Sequence, residues 1–177
     1  MVMYDSETSK EYSIDYREKA PALSTRDMYL NDDGSFNDKY LSTFGYLSIG
    51  VPGTVAGLWE VHKQFGSLPW SALIEDAINY AENGFYMTDY MADVLYKYNE
   101  KMSYFPETKK IFQKDYPNFR NKKLFQKDLA KTLRVISLNG RDGFYKGEVA
   151  KKITDQMQLN GGLIQSADLE NYNPVWR

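Results

Sequence analysis

The chain is 177 residues long, with 22 Lys+Arg against 24 Asp+Glu, a net charge of -2, no cysteine and a single histidine, His62. That length suits one domain or one contiguous piece of a larger one, and the near-neutral balance leaves no basic footprint for nucleic acid and no polybasic membrane patch. Without cysteine there is no disulfide framework, thiol nucleophile or cysteine metal site. One histidine gives no support to a histidine-rich zinc site or a Ser-His pair, so no metal and no cofactor are expected.

Met1 to Tyr4 is a short apolar run that predicts a buried strand, and the polar turn Ser6-Glu7-Thr8-Ser9-Lys10 leads into a second. There Tyr12, Ile14 and Tyr16 alternate with Ser13, Asp15 and Arg17, the period of two of a half-buried strand. The two runs predict a hairpin that closes in Asp15-Tyr16-Arg17-Glu18-Lys19-Ala20-Pro21, with Arg17 on the face opposite Tyr12, Ile14 and Tyr16. Arginine offers an always-charged planar fork that matches a carboxylate bidentately. At a strand end, such a residue stands on a rigid element and faces a ligand, such as a small acid. The plainer reading is a surface arginine paired with Glu18 or Asp15.

From Ala20 to Phe44 the pattern is irregular. Asn31-Asp32-Asp33-Gly34 marks a turn; a calcium loop would need a carboxylate at Tyr29, so the EF-hand reading fails. After Pro52, a first helix carries Val55, Leu58, His62 and Phe65 until Gly66. Leu73, Ile74, Ala77, Ile78 and Ala81 predict a second, ended by Gly84. Thr88 caps a third, with Met91, Leu95, Tyr98 and Met102 on its stripe before Pro106 interrupts. Leu129, Leu133 and Ile136 mark a fourth, closed by Asn139-Gly140, and Val149, Ile153 and Met157 a fifth, closed by Gly161-Gly162. A short turn from Ser166 to Tyr172 follows, and Pro174-Val175-Trp176-Arg177 reads as the start of another strand.

His62 lies on an apolar stripe with no nucleophile or orienting partner apparent nearby, so it reads as packed rather than catalytic. Glu75 and Asp76, as neighbours on a helix, point to different sides and form no acid/base dyad. Met91 and Met102 read as core. The expected fold class is α+β, mainly helical: an N-terminal β-hairpin plus about five helices. With no repeat period and no low-complexity linker, residues 1–177 are expected to form a single partial domain, truncated at both ends because each end falls within a strand pattern. No run approaches the roughly 20 apolar residues of a membrane span, and the N-terminus lacks the charged and apolar regions of a signal peptide.

Three blocks carry a resemblance. The first is Asp15-Tyr16-Arg17-Glu18-Lys19-Ala20-Pro21, of the form D-x-R-E-x-A-P. The second is Ser48-Ile49-Gly50-Val51-Pro52-Gly53-Thr54-Val55-Ala56-Gly57-Leu58, continuing into His62, Gly66-Ser67-Leu68-Pro69-Trp70, Ala77-Ile78 and Gly84-Phe85. The third is Gln126-Lys127-Asp128-Leu129-Ala130-Lys131-Thr132-Leu133, then Gly140, Gly143-Phe144-Tyr145-Lys146-Gly147, Ala150, Gly161-Gly162, Asp168-Leu169 and Tyr172. In this order and spacing they resemble the large subunit of the gamma-glutamyltranspeptidase family, over nearly the whole chain.

The resemblance implies an N-terminal nucleophile hydrolase with an αββα sandwich in the intact protein. It implies a precursor that cleaves itself into a large and a small subunit, the small subunit being this segment's partner. The new N-terminal threonine attacks the gamma-glutamyl amide of glutathione and related donors, and water, an amino acid or a peptide accepts the acyl group. A threonine with its own α-amine as base needs no histidine. By the same resemblance Arg17 binds the donor α-carboxylate, Glu18 supports it locally with a ligand role left open, and the protein is secreted, periplasmic or in the cell envelope. The Gly50-Val51-Pro52-Gly53 turn reads as a helix start with close backbone approach. Thr54, Thr88, Thr108 and Thr132 lack the T-T-H or T-x-H junction of the family, so no catalytic residue is expected in this chain, and the chain alone is expected to be silent. The alternatives are a related acylase or poly-gamma-glutamate-processing enzyme of the same fold, and a non-catalytic helical interaction module with a Tyr-rich docking surface.

Overall fold

A computed structural model describes residues 1–36 and 41–177, whose contacts fall into two units, Met1–Ser67 with Leu138–Arg177, and Leu68–Ser137. Residues 37–40, inside the stretch read as irregular, lie outside the described residues. In chain order the elements begin with β1 (Val2–Asp5), β2 (Lys10–Asp15), α1 (Thr54–Phe65), α2 (Trp70–Asn83) and β3 (Phe85–Tyr86). Next come α3 (Asp89–Lys97), α4 (Asn99–Ser103), α5 (Pro106–Phe112), β4 (Lys123–Leu124) and α6 (Lys127–Asn139). The chain closes with α7 (Asp142–Tyr145), α8 (Gly147–Leu159), α9 (Ser166–Glu170) and β5 (Val175–Trp176).

In the first unit the N-terminal alternation does form a hairpin, β1 antiparallel to β2 with Val2 opposite Ser13 and Asp5 opposite Lys10. The strand expected from Pro174 onward is β5, which pairs with the other edge of β2, Ile14 opposite Trp176. The order β1-β2-β5 makes β2 the central strand, and Ile14 upon it is buried. The unit's core cluster is Val51, Ala56, Tyr145, Ala150, Met157, Ile164, Leu169 and Tyr172. Gly57 sets how closely α1 lies to the chain leaving β2: a Cβ there would overlap the Tyr16 ring. His62 stacks on Trp59 with ring centroids 5.9 Å apart, packed as its stripe position suggests.

The second unit has its own core of Met87, Ala92, Phe119 and Leu124. Thr88 caps α3 as expected, its hydroxyl oxygen accepting from the Met91 N–H at 3.2 Å. β3 and β4 pair with Phe85 opposite Leu124, and the Trp70 indole N–H donates to the Ile136 carbonyl at 3.0 Å.

The five expected helices correspond to α1, α2, α3, α6 and α8. The third stripe is broken at Tyr98 into α3 and α4, and the turn expected from Ser166 is the short helix α9. Helices of four to seven residues, as in α5, α7 and α9, are too short for a 3.6-residue period to repeat and show itself. Inside the long helices, the buried positions combine stripe residues, Ile78, Ile136 and Met157, with alanines. Ala56, Ala81, Ala92, Ala130 and Ala150 are buried, while Leu58, Leu73 and Leu129 remain exposed. The Asn31–Gly34 turn is closed internally, the Gly34 N–H donating to the Asn31 carbonyl at 2.9 Å, with Asp33 accepting from Ser35.

Candidate functional site

Past Asp15 the chain leaves the sheet, and the main chain of Lys19 pairs with that of Val51 in both directions, at 3.2 and 2.7 Å. Arg17 therefore lies on a short span tied at one end by β2 and at the other by this bridge. Its own peptide groups are tied as well. The Arg17 N–H donates to Asp15 Oδ1 at 3.1 Å, and the Arg17 carbonyl accepts from the Tyr172 hydroxyl at 2.7 Å. The side chain, by contrast, is 82% exposed, with Nε donating to Glu18 Oε1 at 3.1 Å. It stands at an open cavity of about 550 Å³, walled on one side by Ile14 to Glu18 and on the other by Gly50, Pro52, Gly53 and Thr54.

Two stacked tyrosines tie these walls, Tyr145 and Tyr172, with centroids 5.8 Å apart and planes 13° from parallel. The Tyr145 hydroxyl donates to the Pro52 carbonyl at 2.6 Å and accepts from the Ala56 N–H at 3.3 Å, which holds the start of α1. The Tyr172 hydroxyl holds the Arg17 wall. Arg141 lies 4.8 Å from the Tyr145 ring centroid and donates to the carbonyls of Glu170 and Tyr172 at 2.8 and 2.7 Å. Lys19 sits 4.9 Å from the Tyr172 ring centroid and donates to the Asn173 carbonyl at 2.7 Å. A Cβ on Gly53 would overlap both the Tyr172 hydroxyl and the Tyr16 carbonyl oxygen. Glycine is what lets the two walls meet there.

The charges follow from these contacts. Asp15 is held below the usual carboxylate range by the Arg177 guanidinium, which donates to it at 2.7 Å, and then by the Arg17 N–H. Glu18 is lowered by its own backbone N–H and then by Arg17. Burial pushes the Tyr145 hydroxyl up to about 12, and burial, with the charges of Asp15 and Glu18, also raises Tyr172. Both hydroxyls are thus protonated donors at neutral pH, while both carboxylates are ionised.

Arg17 and Glu18 come together as an ion pair, whereas Asp15 serves main chain and Arg177 instead of the Arg17 guanidinium. Sequence reasoning missed Tyr145, Tyr172 and Arg141 as parts of this site. Tyr145 and Tyr172 do fall within the third block of resemblance, but nothing in the sequence links them to Arg17. Among the described residues, no three His, Asp or Glu side chains gather as metal ligands, and no helix is long and apolar enough to cross a membrane.

The fold is that of the N-terminal nucleophile hydrolases. The solved gamma-glutamyltranspeptidase of Helicobacter pylori matches it with a TM-score of 0.95 at 40% identity, covering 100% of this chain and 51% of that one. The chain belongs to the gamma-glutamyltranspeptidase family, whose family model it matches over residues 1–177. It is 43% identical over 175 residues to the glutathione hydrolase proenzyme of Pseudomonas aeruginosa, covering 95% of this chain and 29% of that protein. With the Escherichia coli glutathione hydrolase proenzyme it shares 40% identity over 174 residues, 97% of this chain and 30% of that protein. The chain thus spans about three-tenths of the length of these curated relatives.

Proposed function

We propose that the full-length protein carrying this chain transfers or hydrolyses the gamma-glutamyl group of glutathione and related amides, and that Arg17 grips the donor α-carboxylate. The observation that supports this reading is an exposed guanidinium at a cavity, on a main chain tied at both peptide groups. Magnitudes favour a ligand over Glu18. An exposed ion pair contributes about 0–1 kcal/mol, whereas a desolvated bidentate contact to a carboxylate contributes about 1.5–3 kcal/mol. A bound donor therefore displaces Glu18 from the guanidinium, and Glu18 is left to steady the unliganded side chain.

The relatives' naming as proenzymes supports a precursor cut into two subunits. The small subunit would supply the threonine whose hydroxyl attacks the gamma-carbonyl. Its α-amine takes the hydroxyl proton and passes it to the departing amine, and water or an acceptor amine then releases the acyl group. The chain's part is to hold the donor in register with that hydroxyl. A secreted, periplasmic or cell-envelope location goes with this reading.

The test is kinetic. With a chromogenic gamma-glutamyl anilide, Arg17→Ala in the full-length protein should raise the donor KM about ten- to a hundredfold, with a smaller effect on kcat. Kinetics indistinguishable from the parent would sink the carboxylate role.

A further inference from the structure

We propose that Tyr172 is a positioning residue for donor recognition, its hydroxyl fixing the peptide of Arg17 and so the place at which the guanidinium meets the donor carboxylate. The inference rests on the donor role given to Arg17 above.

The Tyr172 hydroxyl is held in place from several sides. Its ring is stacked on Tyr145, and Lys19 stands 4.9 Å from the ring centroid. Its own carbonyl is held by Arg141 at 2.7 Å. Gly53 leaves just enough room for the hydroxyl, since a Cβ there would overlap it. The one proton the hydroxyl has to give goes to the Arg17 carbonyl, 155 residues away in sequence, at 2.7 Å.

At Arg17 the counterpart bond is the N–H to Asp15 at 3.1 Å. With both bonds made, the peptide planes on either side of the Arg17 Cα are fixed, and only the side-chain torsions remain to be set by the ligand. Removing the hydroxyl leaves the carbonyl able to rotate. A long side chain magnifies such a rotation at its tip, so the loss falls on donor binding rather than on the chemical step.

The test is a double-mutant cycle in the full-length protein with the same gamma-glutamyl anilide, comparing Tyr172→Phe, Arg17→Ala and the pair. KM is the readout because it does not depend on how much of a preparation is folded. Tyr172→Phe should raise the donor KM about three- to tenfold, with kcat changing less, and should add nothing further once Arg17 is alanine. A donor KM equal to the parent's in Tyr172→Phe, beside a large rise in Arg17→Ala, overturns the positioning role and leaves the Arg17 reading standing. So does a rise of the same size in both backgrounds, because it is independent of the guanidinium. If Arg17→Ala itself leaves the KM unchanged, the donor reading fails, and this inference fails with it.

Discussion

The hydroxyl of Tyr145 donates to the Pro52 carbonyl and accepts from the Ala56 N–H, in a side chain with no exposed surface. A phenol so placed cannot ionise without losing its donor role and standing as a charge out of reach of water, which is why it holds its proton up to about pH 12. Tyrosines in the unfolded chain titrate near 10. The folded state therefore binds this proton more tightly, and the associated stability is full below pH 10 and is lost as pH rises to about 12, by about 2 kcal/mol. Tyr145→Phe should flatten the fall in urea midpoint over that window relative to the parent; parallel curves would refute the assignment. Asp15 works in the opposite sense. Its pKa is lowered, chiefly by Arg177 and then by the Arg17 N–H, so its contribution is present above the usual carboxylate range and disappears as pH falls through the lowered value.

At the scale of elements, glycines and alanines decide how close α1 comes to the strand-end loop. Gly57 faces the Tyr16 ring so closely that Gly57→Ala must push one of them aside, at a cost of about 1–3 kcal/mol. A denaturant midpoint unchanged by that substitution would contradict the packing. This is also where the sequence was least legible. Periodicity located the five long helices, and strand alternation located the hairpin and Arg17 at its end, because those signals repeat. It picked out Ile78, Ala81, Ile136 and Met157, which are buried, but also Leu58, Leu73 and Leu129, which turn out exposed, and it passed over Ala56 and Ala130, which are buried. Bulk is what a hydrophobic pattern detects, and small residues are what tight contact needs. The two-residue strands β3 and β4 carry no period at all. Tyr172 escaped notice for a further reason: its link to Arg17 joins opposite ends of a chain that contains 15 tyrosines.

For the molecule as a whole, the consequence of the proposed function is a division of labour. On that proposal these residues would bind the donor, while the sequence holds no counterpart of the family's junction threonine. Expressed by itself, the 177-residue chain should turn over a chromogenic gamma-glutamyl anilide no faster than a heat-killed control. Turnover above that background would place a nucleophile inside it. In the same assay, full-length protein should be active and sensitive to Arg17, which separates a failed assay from a silent chain.

Asp15 and Tyr172 hydrogen-bond to residue 17 at its N–H and its carbonyl. Those two atoms are common to nearly every amino acid, so the grip works like a chuck that takes any bit. The side chain it presents can change while the presentation stays the same. Substituting the exposed Arg17 by lysine, glutamine or alanine should therefore shift unfolding stability by no more than about 0.5 kcal/mol, even where donor preference is transformed. On the proposed role of Arg17, selection could retune what this protein accepts by a single replacement, without first having to rebuild the ground beneath it.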